Sequence, residues 1–398
     1  MNESEISSPF RLSTGGLFYR LMLRLRLVEA NRYHPWRRIT LFTSLTWLPL
    51  LILTAIDGTL TGNSVNIIFI CDPVPHARYL IALPLLVFAD WIIDPYMTAI
   101  VKHLRVSALV PKDAKPLYSK ALEQLIRRRD AAWVDVVLFG LAFSLVWILK
   151  FKFEISTLDI ETSSWMTTTS GKVERLTPAG WWFISVSIPF IQFILYRWIW
   201  RLIIWIRFMN SLSRLGLALQ STHPDHMGGL GLLAGAQFSF GVIFTALGAT
   251  ASATLANEII HLGSTLPEVQ LSIIGFVLIC FAIITGPLCT FSNQLFSAKR
   301  HDLRHSSARA TQLSEAFEEK WIKNTNGGQG EEPVTTANPS TVRSYGVIYE
   351  TISSMRLIPL KRQNVIGLLI ILVAPFIPLV FTQISIKEAL KQLAQTLV

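Results

Sequence analysis

Residues 181–205 read WWFISVSIPFIQFILYRWIWRLIIW, a run of bilayer-spanning length that carries Arg197 and Arg201 one helical turn apart. A helix rising about 1.5 Å per residue needs roughly 20 mainly apolar residues to cross a hydrocarbon core about 30 Å thick. Apolar side chains on every face of so long a helix call for lipid, and the two arginines then become informative, because an ionised group inside a span is costly unless it has a partner or a role.

Six further runs of comparable character lie at 39–56, 79–100, 131–150, 237–257, 269–290 and 365–381. The chain is 51% hydrophobic and 16% charged, against about a quarter charged in ordinary soluble domains. An all-α fold is expected: a polytopic integral membrane helix bundle of about seven transmembrane helices in the lipid bilayer. The net charge of +10 does not point to nucleic acid, because the basic residues fall in short blocks between apolar runs, the pattern that sets membrane orientation. Cys71, Cys280 and Cys289 lack Cys-x-x-Cys spacing, so neither a disulfide framework nor a zinc site is implied.

The first span is expected to stay in the mature protein, since an arginine-rich segment precedes it and no small-x-small cleavage site follows. Arg11, Arg20, Arg24, Arg26, Arg32, Arg37 and Arg38 place the N-terminus in the cytoplasm, as do the eight basic residues from Lys102 to Arg129 and the ten in 291–364. The connections 57–76 and 257–268 contain neither Lys nor Arg, so they face outward, as alternation then requires of the Ser/Thr-rich loop 151–180. The chain divides into a basic cytoplasmic arm (1–38), a membrane bundle (39–290) with cytoplasmic connections at 101–130 and 206–236, a cytoplasmic helical extension and flexible linker (291–364), and the last transmembrane helix with a C-terminal amphipathic helix (365–398). Leu117, Leu122 and Leu125 mark a docking helix within the 101–130 connection, and the glycines around 326–330 mark the linker.

Three acids and two arginines stand out as an intramembrane charge cluster. Asp90 and Asp94 share one face of the second span, Arg197 and Arg201 share one face of the fourth, and Asp135 lies one turn into the third. Counted along helices that run the same way, Asp94 and Arg197 sit about 15 and about 16 residues below the outer ends of their spans, at similar depth. Arg to carboxylate pairing, Asp94 with Arg197 among the pairs, is the expected contact; a solute or ion pathway and snorkelling of the arginines beside Trp198 and Trp200 are the alternatives.

A second candidate is the turn His223-Pro224-Asp225-His226-Met227-Gly228-Gly229-Leu230-Gly231 before the fifth span. His223, Asp225 and His226 are metal-ligand types, and Gly228, Gly229 and Gly231 let backbone amides approach an anion. The plainer reading is a tight turn in which Asp225 caps the fifth helix and the glycines permit close packing. No cofactor is implied. Gly-x-Ser-x-Gly, His-Glu-x-x-His and Walker strings do not occur, so those enzyme classes lack their marker.

The Ser213-Arg214-Leu215 run, the His-Pro-Asp-x-x-Gly-Gly-Leu-Gly string, Met355-Arg356 with Pro359, and the Pro375/Pro378 span resemble a family of uncharacterised bacterial polytopic membrane proteins. That resemblance implies a bacterial cytoplasmic (inner) membrane and carries over no functional residue. Three functions fit the sequence. The first is a non-catalytic scaffold or sensor whose cytoplasmic segments bind anionic lipid headgroups or a protein partner. The second is a channel or transporter using the charge cluster, and the third a lipid-modifying enzyme at the His223 turn. Such a bundle is compatible with an oligomer.

Overall fold

The computed structural model describes residues 10–28, 35–61, 65–107, 109–153, 164–170, 173–318 and 339–382. Six helical stretches among them are long and apolar enough to cross a membrane: Pro35–Ile56, Pro73–Val106, Pro178–Ser213, Gly231–His261, Leu266–Glu318 and Arg362–Phe381. Lys112–Arg129 and Ala132–Ile148, bent by 46° at their junction, supply a seventh if taken as one.

In chain order the elements are α1 (Gly16–Arg24), α2 (Pro35–Thr46), α3 (Leu48–Ile56), α4 (Pro73–His76), α5 (Leu83–Val106), α6 (Lys115–Arg129), α7 (Ala132–Phe153), the hairpin β1–β2 (Thr167–Ser170 and Val173–Leu176), α8 (Pro178–Trp182), α9 (Ile188–Ser213), α10 (Gly231–Phe238), α11 (Gly241–Leu262), α12 (Leu266–Thr285), α13 (Ser292–Glu318), α14 (Pro339–Ser353) and α15 (Arg362–Val373). Breaks within spans have local causes. Pro49 opens α3 directly after the α2 break at Trp47, Gly286-Pro287 opens the tight turn between α12 and α13, and Pro375 and Pro378 lie in the tighter coil that follows α15.

Polarity is distributed opposite to that of a soluble domain. Leu271, Leu278, Ile279 and Ile370 are 62–78% exposed, while Asp94, Thr46, Thr54, Ser187 and Gln237 are fully buried. Apolar belts of this kind need hydrocarbon around them. The protein is a multi-pass membrane protein. Its centre is formed by α5 and α9, which carry α2, α7, α6 and α11 around them.

The connections sort into two groups. At one end, the Ala218 amide bonds to the Leu109 carbonyl at 2.9 Å, the Arg356 amide to the His226 carbonyl at 2.9 Å, and the Ser221 hydroxyl to Asp302. Arg129 Nη1 reaches the Arg11 carbonyl at 2.7 Å there as well. These are the four arginine- and lysine-bearing segments. At the opposite end, the Trp165 amide bonds to the Ile67 carbonyl at 3.1 Å, its indole Nε1 donates to Asp72 Oδ2 at 3.0 Å, and its ring stands edge-on to Phe69 at 5.1 Å.

Several sequence expectations are corrected. Leu117 is 57% exposed; Tyr118, Leu122 and Leu125, at i, i+4 and i+7, form the buried row of α6. The fifth span starts earlier than 237 and is broken, as α10 and α11. The 151–180 loop contains a hairpin whose Thr-rich strands pair in register from Thr167↔Leu176 to Ser170↔Val173. The arm 1–38 is not simply a solvated basic tail, because residues 10–18 enter the bundle and α2 begins at Pro35. The linker around 326–330 and the C-terminal amphipathic helix lie outside the described residues.

Gly180 offers a test of the end that carries the Trp165 contacts. The Thr177 hydroxyl accepts its amide at 3.0 Å, and a Cβ placed there would run into the Met166 carbonyl oxygen. Gly180→Ala is expected to destabilise by about 1–3 kcal/mol, read as a lower Tm in detergent, whereas Gly275→Ala, with open space at its Cβ, should leave Tm unchanged or raise it.

Candidate functional site

Asp90 and Asp94 project from α5 into the bundle and are 9% and 0% exposed. Asp90 sits between two guanidinium groups, Arg38 Nη1 at 2.6 Å on one oxygen and Arg201 Nη1 at 3.4 Å on the other. Asp135, in the first turn of α7, takes Arg197 Nε at 3.1 Å. Arg197 lies over the Phe18 ring at 4.6 Å and Arg201 over Trp198 at 4.8 Å, so aromatic faces cover the guanidinium planes where no carboxylate does.

The structure thus brings Asp90, Asp94, Asp135, Arg197 and Arg201 into one layer, but the pairing differs from the one depth counting suggests. Arg197 meets Asp135, and Asp94 is engaged by the N-terminal arm. Asp94 Oδ1 accepts the Leu12 and Ser13 amides, both at 2.9 Å, and Oδ2 accepts the Ser13 hydroxyl. Arg201 Nη2 donates to the Ser13 carbonyl. Asp135 Oδ2 accepts the Phe18 amide at 2.9 Å, and the Thr98 hydroxyl donates to the Phe10 carbonyl at 2.6 Å.

Two residues were missed by sequence reasoning. Arg38 lies at the edge of the first apolar run, where it counts as a topology signal; yet the five expected residues carry one more negative than positive charge, and Arg38 supplies the balance. Ser13 has no signal of its own. It belongs to Leu12-Ser13-Thr14-Gly15-Gly16, whose two glycines have φ of +92° and +81°, a conformation that favours glycine. A Cβ on Gly15 would collide with Asp130, and one on Gly16 with Asp135. The backbone must pass this close for its amides to reach the carboxylates.

Chemically, the arrangement sets three carboxylates against three guanidinium groups, and Asp94 and Asp135 also accept peptide N–H groups of the arm. Backbone amides that are not in a helix need such acceptors where water is scarce. The cluster holds residues 12–18 of the arm in place.

The His223–Gly231 turn is organised around Asp225. Its Oδ1 accepts the Met227 amide at 2.8 Å and the Gly229 amide at 3.1 Å, its Oδ2 the Gly231 amide at 2.9 Å, and His223 Nδ1 lies 2.9 Å from Oδ1. Asp225 therefore occupies the anion nest itself and caps α10. His226, at φ +55°, turns away to the Ser354 hydroxyl at 2.9 Å, and no group of three or more potential metal ligands occurs among the described residues. Gly228 and Gly229 take up positive φ and pack closely on Leu219, Met355, Leu295 and Leu109, which ties this turn to α13 through Leu295 and to the segment just after α14 through Met355. Burial alone would raise the Asp225 carboxyl, but the three amides and His223 outweigh it and hold it below the usual carboxylate range.

No protein-family model matches the chain, and neither a curated protein nor a solved structure matches it significantly.

Two outcomes check these geometries. Asp135→Leu or Arg197→Met alone leaves a buried partner unpaired and is expected to cost roughly 3–5 kcal/mol, seen as lost membrane accumulation. The double variant should recover part of that loss; strictly additive losses would sink the pairing. Because the Asp225 carboxyl is depressed in the folded protein, its stabilisation is present above the unfolded value of about 3.9 and disappears as pH falls through the folded one. Hydrogen exchange of the α10 amides should therefore lose protection below about pH 4 in the wild type and be fast at every pH in Asp225→Ala.

Proposed function

We propose that this chain is a non-catalytic scaffold of the bacterial cytoplasmic membrane, with its basic end in the cytoplasm. There it binds anionic lipid headgroups or an acidic protein segment. The observation that carries this reading is the contrast between interior and end: the inner charges are consumed in holding the arm, while Arg20, Arg24, Lys120, Arg127, Arg128 and Arg214 at the same end stay exposed. Basic residues just outside the hydrocarbon are attracted to anionic leaflets by about 1 kcal/mol each. Membership of the family resembled in the His-Pro-Asp string is part of the same proposal.

Permeation is the second reading. It would need Asp90 or Asp94 to meet water, and their burial speaks against that. An enzyme at the His223 turn would need Asp225 free, whereas its oxygens are taken by amides.

Replacing Lys120, Arg127 and Arg128 together by Gln should weaken retention of a soluble acidic peptide probe about a hundredfold, from roughly 3 kcal/mol lost, with the wild-type difference fading at high salt. Reconstituted vesicles should show no solute flux above empty ones. Flux abolished by Asp90→Asn in a folded protein would replace the scaffold reading with permeation.

A further inference from the structure

The opposite half of the bundle handles charge differently. Arg78 sits in a π-helical turn, Ala77–Ala82, at the start of the second span, and such widened turns concentrate at functional positions. It makes no ion pair with any acid among the described residues, in contrast to Arg38, Arg197 and Arg201.

Below it opens a lateral cleft of about 370 Å³ between α5, α9, α11 and α12. Leu86, Ile188, Ile191 and Phe276 give it apolar walls, and the small residues Ala246 and Ala251 of α11 keep it open. Its axis can be read from two helices. Arg78 to Leu86 and Thr254 to Ala246 are both eight residues, about 12 Å, so the cleft runs from a charged rim to mid-depth. Gln192 Oε1 lines it as a buried acceptor with no partner among the described residues, and Asn257 Oδ1 and His261 Nε2, further along α11 on the row of Thr250 and Thr254, are likewise unpartnered.

One positive group at the rim, an unpartnered Gln192 acceptor in the lining and an apolar slot beneath match one kind of molecule. We propose that this cleft is a phospholipid site, in which Arg78 binds the phosphate and one acyl chain lies against Ala246, Ala251 and Phe276. The bidentate guanidinium suits a phosphate, and the chain replaces the contacts that an empty slot lacks. The site lies at the end opposite the proposed scaffold surface and stands without it.

The test uses the full chain in detergent, with dioleoyl phosphatidylglycerol titrated in and adducts counted by native mass spectrometry. Arg78→Gln and Ala251→Phe should each weaken one tight adduct about tenfold or more, while the triple Lys120, Arg127, Arg128 variant leaves that adduct in place. Inorganic phosphate alone should not displace it. An adduct unchanged in both cleft variants, or one removed by inorganic phosphate, overturns the proposal. If Arg78→Gln fails to assemble, Ala251→Phe, which keeps the arginine and fills the slot, decides the matter by the same criterion.

Discussion

Lack of water inside the hydrocarbon is the constraint on which the rest of this structure depends. An ionised side chain there costs on the order of 2.5–3.5 kcal/mol by insertion scales, and an unpaired peptide group costs several more. Charges and amides at that depth must answer one another. The layer built from Asp90, Asp94, Asp135, Arg38, Arg197 and Arg201 does so by equal numbers of opposite charges, with spare carboxylate lone pairs turned onto the arm's Leu12, Ser13 and Phe18 amides. The arm gains acceptors that lipid cannot offer, and the acids gain donors.

Aspartate is used twice in this way, at different depths. In the bundle Asp94 and Asp135 receive amides of a segment that turns through Gly15 and Gly16, and at the basic end Asp225 receives amides of a segment that turns through Gly228 and Gly229. In both places glycines at positive φ let the backbone turn so that nearby N–H groups reach carboxylates, those of Leu12 and Ser13 on Asp94 and of Phe18 on Asp135 in the first, those of Met227, Gly229 and Gly231 on Asp225 in the second. Both turns also knit distant parts of the chain, the first joining the arm to α5 and α7 and the second joining α10 to the segment just after α14. The result is an end whose connections are cross-linked while Arg20, Arg24, Lys120, Arg127, Arg128 and Arg214 stay exposed.

The two halves of the bundle consequently offer different chemistry. In one, carboxylates and guanidinium groups pair with one another and with the arm. The other keeps an arginine at the rim of an apolar slot, where a ligand from the bilayer itself has the shortest route in.

By itself the sequence determined the solvent. Run length, the scarcity of charge and the placement of Lys and Arg follow from transfer energies that act residue by residue, so the membrane class, the spans and the grouping of connections were legible, and the helical spacing of Asp90 with Asp94 and of Arg197 with Arg201 put those residues on shared faces. Tertiary structure decided who meets whom. That Asp135 rather than Asp94 takes Arg197, that Arg38 balances the layer, that Tyr118 replaces Leu117 in the α6 row, and that residues 10–18 are built into the bundle all depend on helix rotation and on a glycine-shaped backbone passing near two carboxylates. Those outcomes are sums over several packed elements, and a linear reading of depth and period contains no term for them.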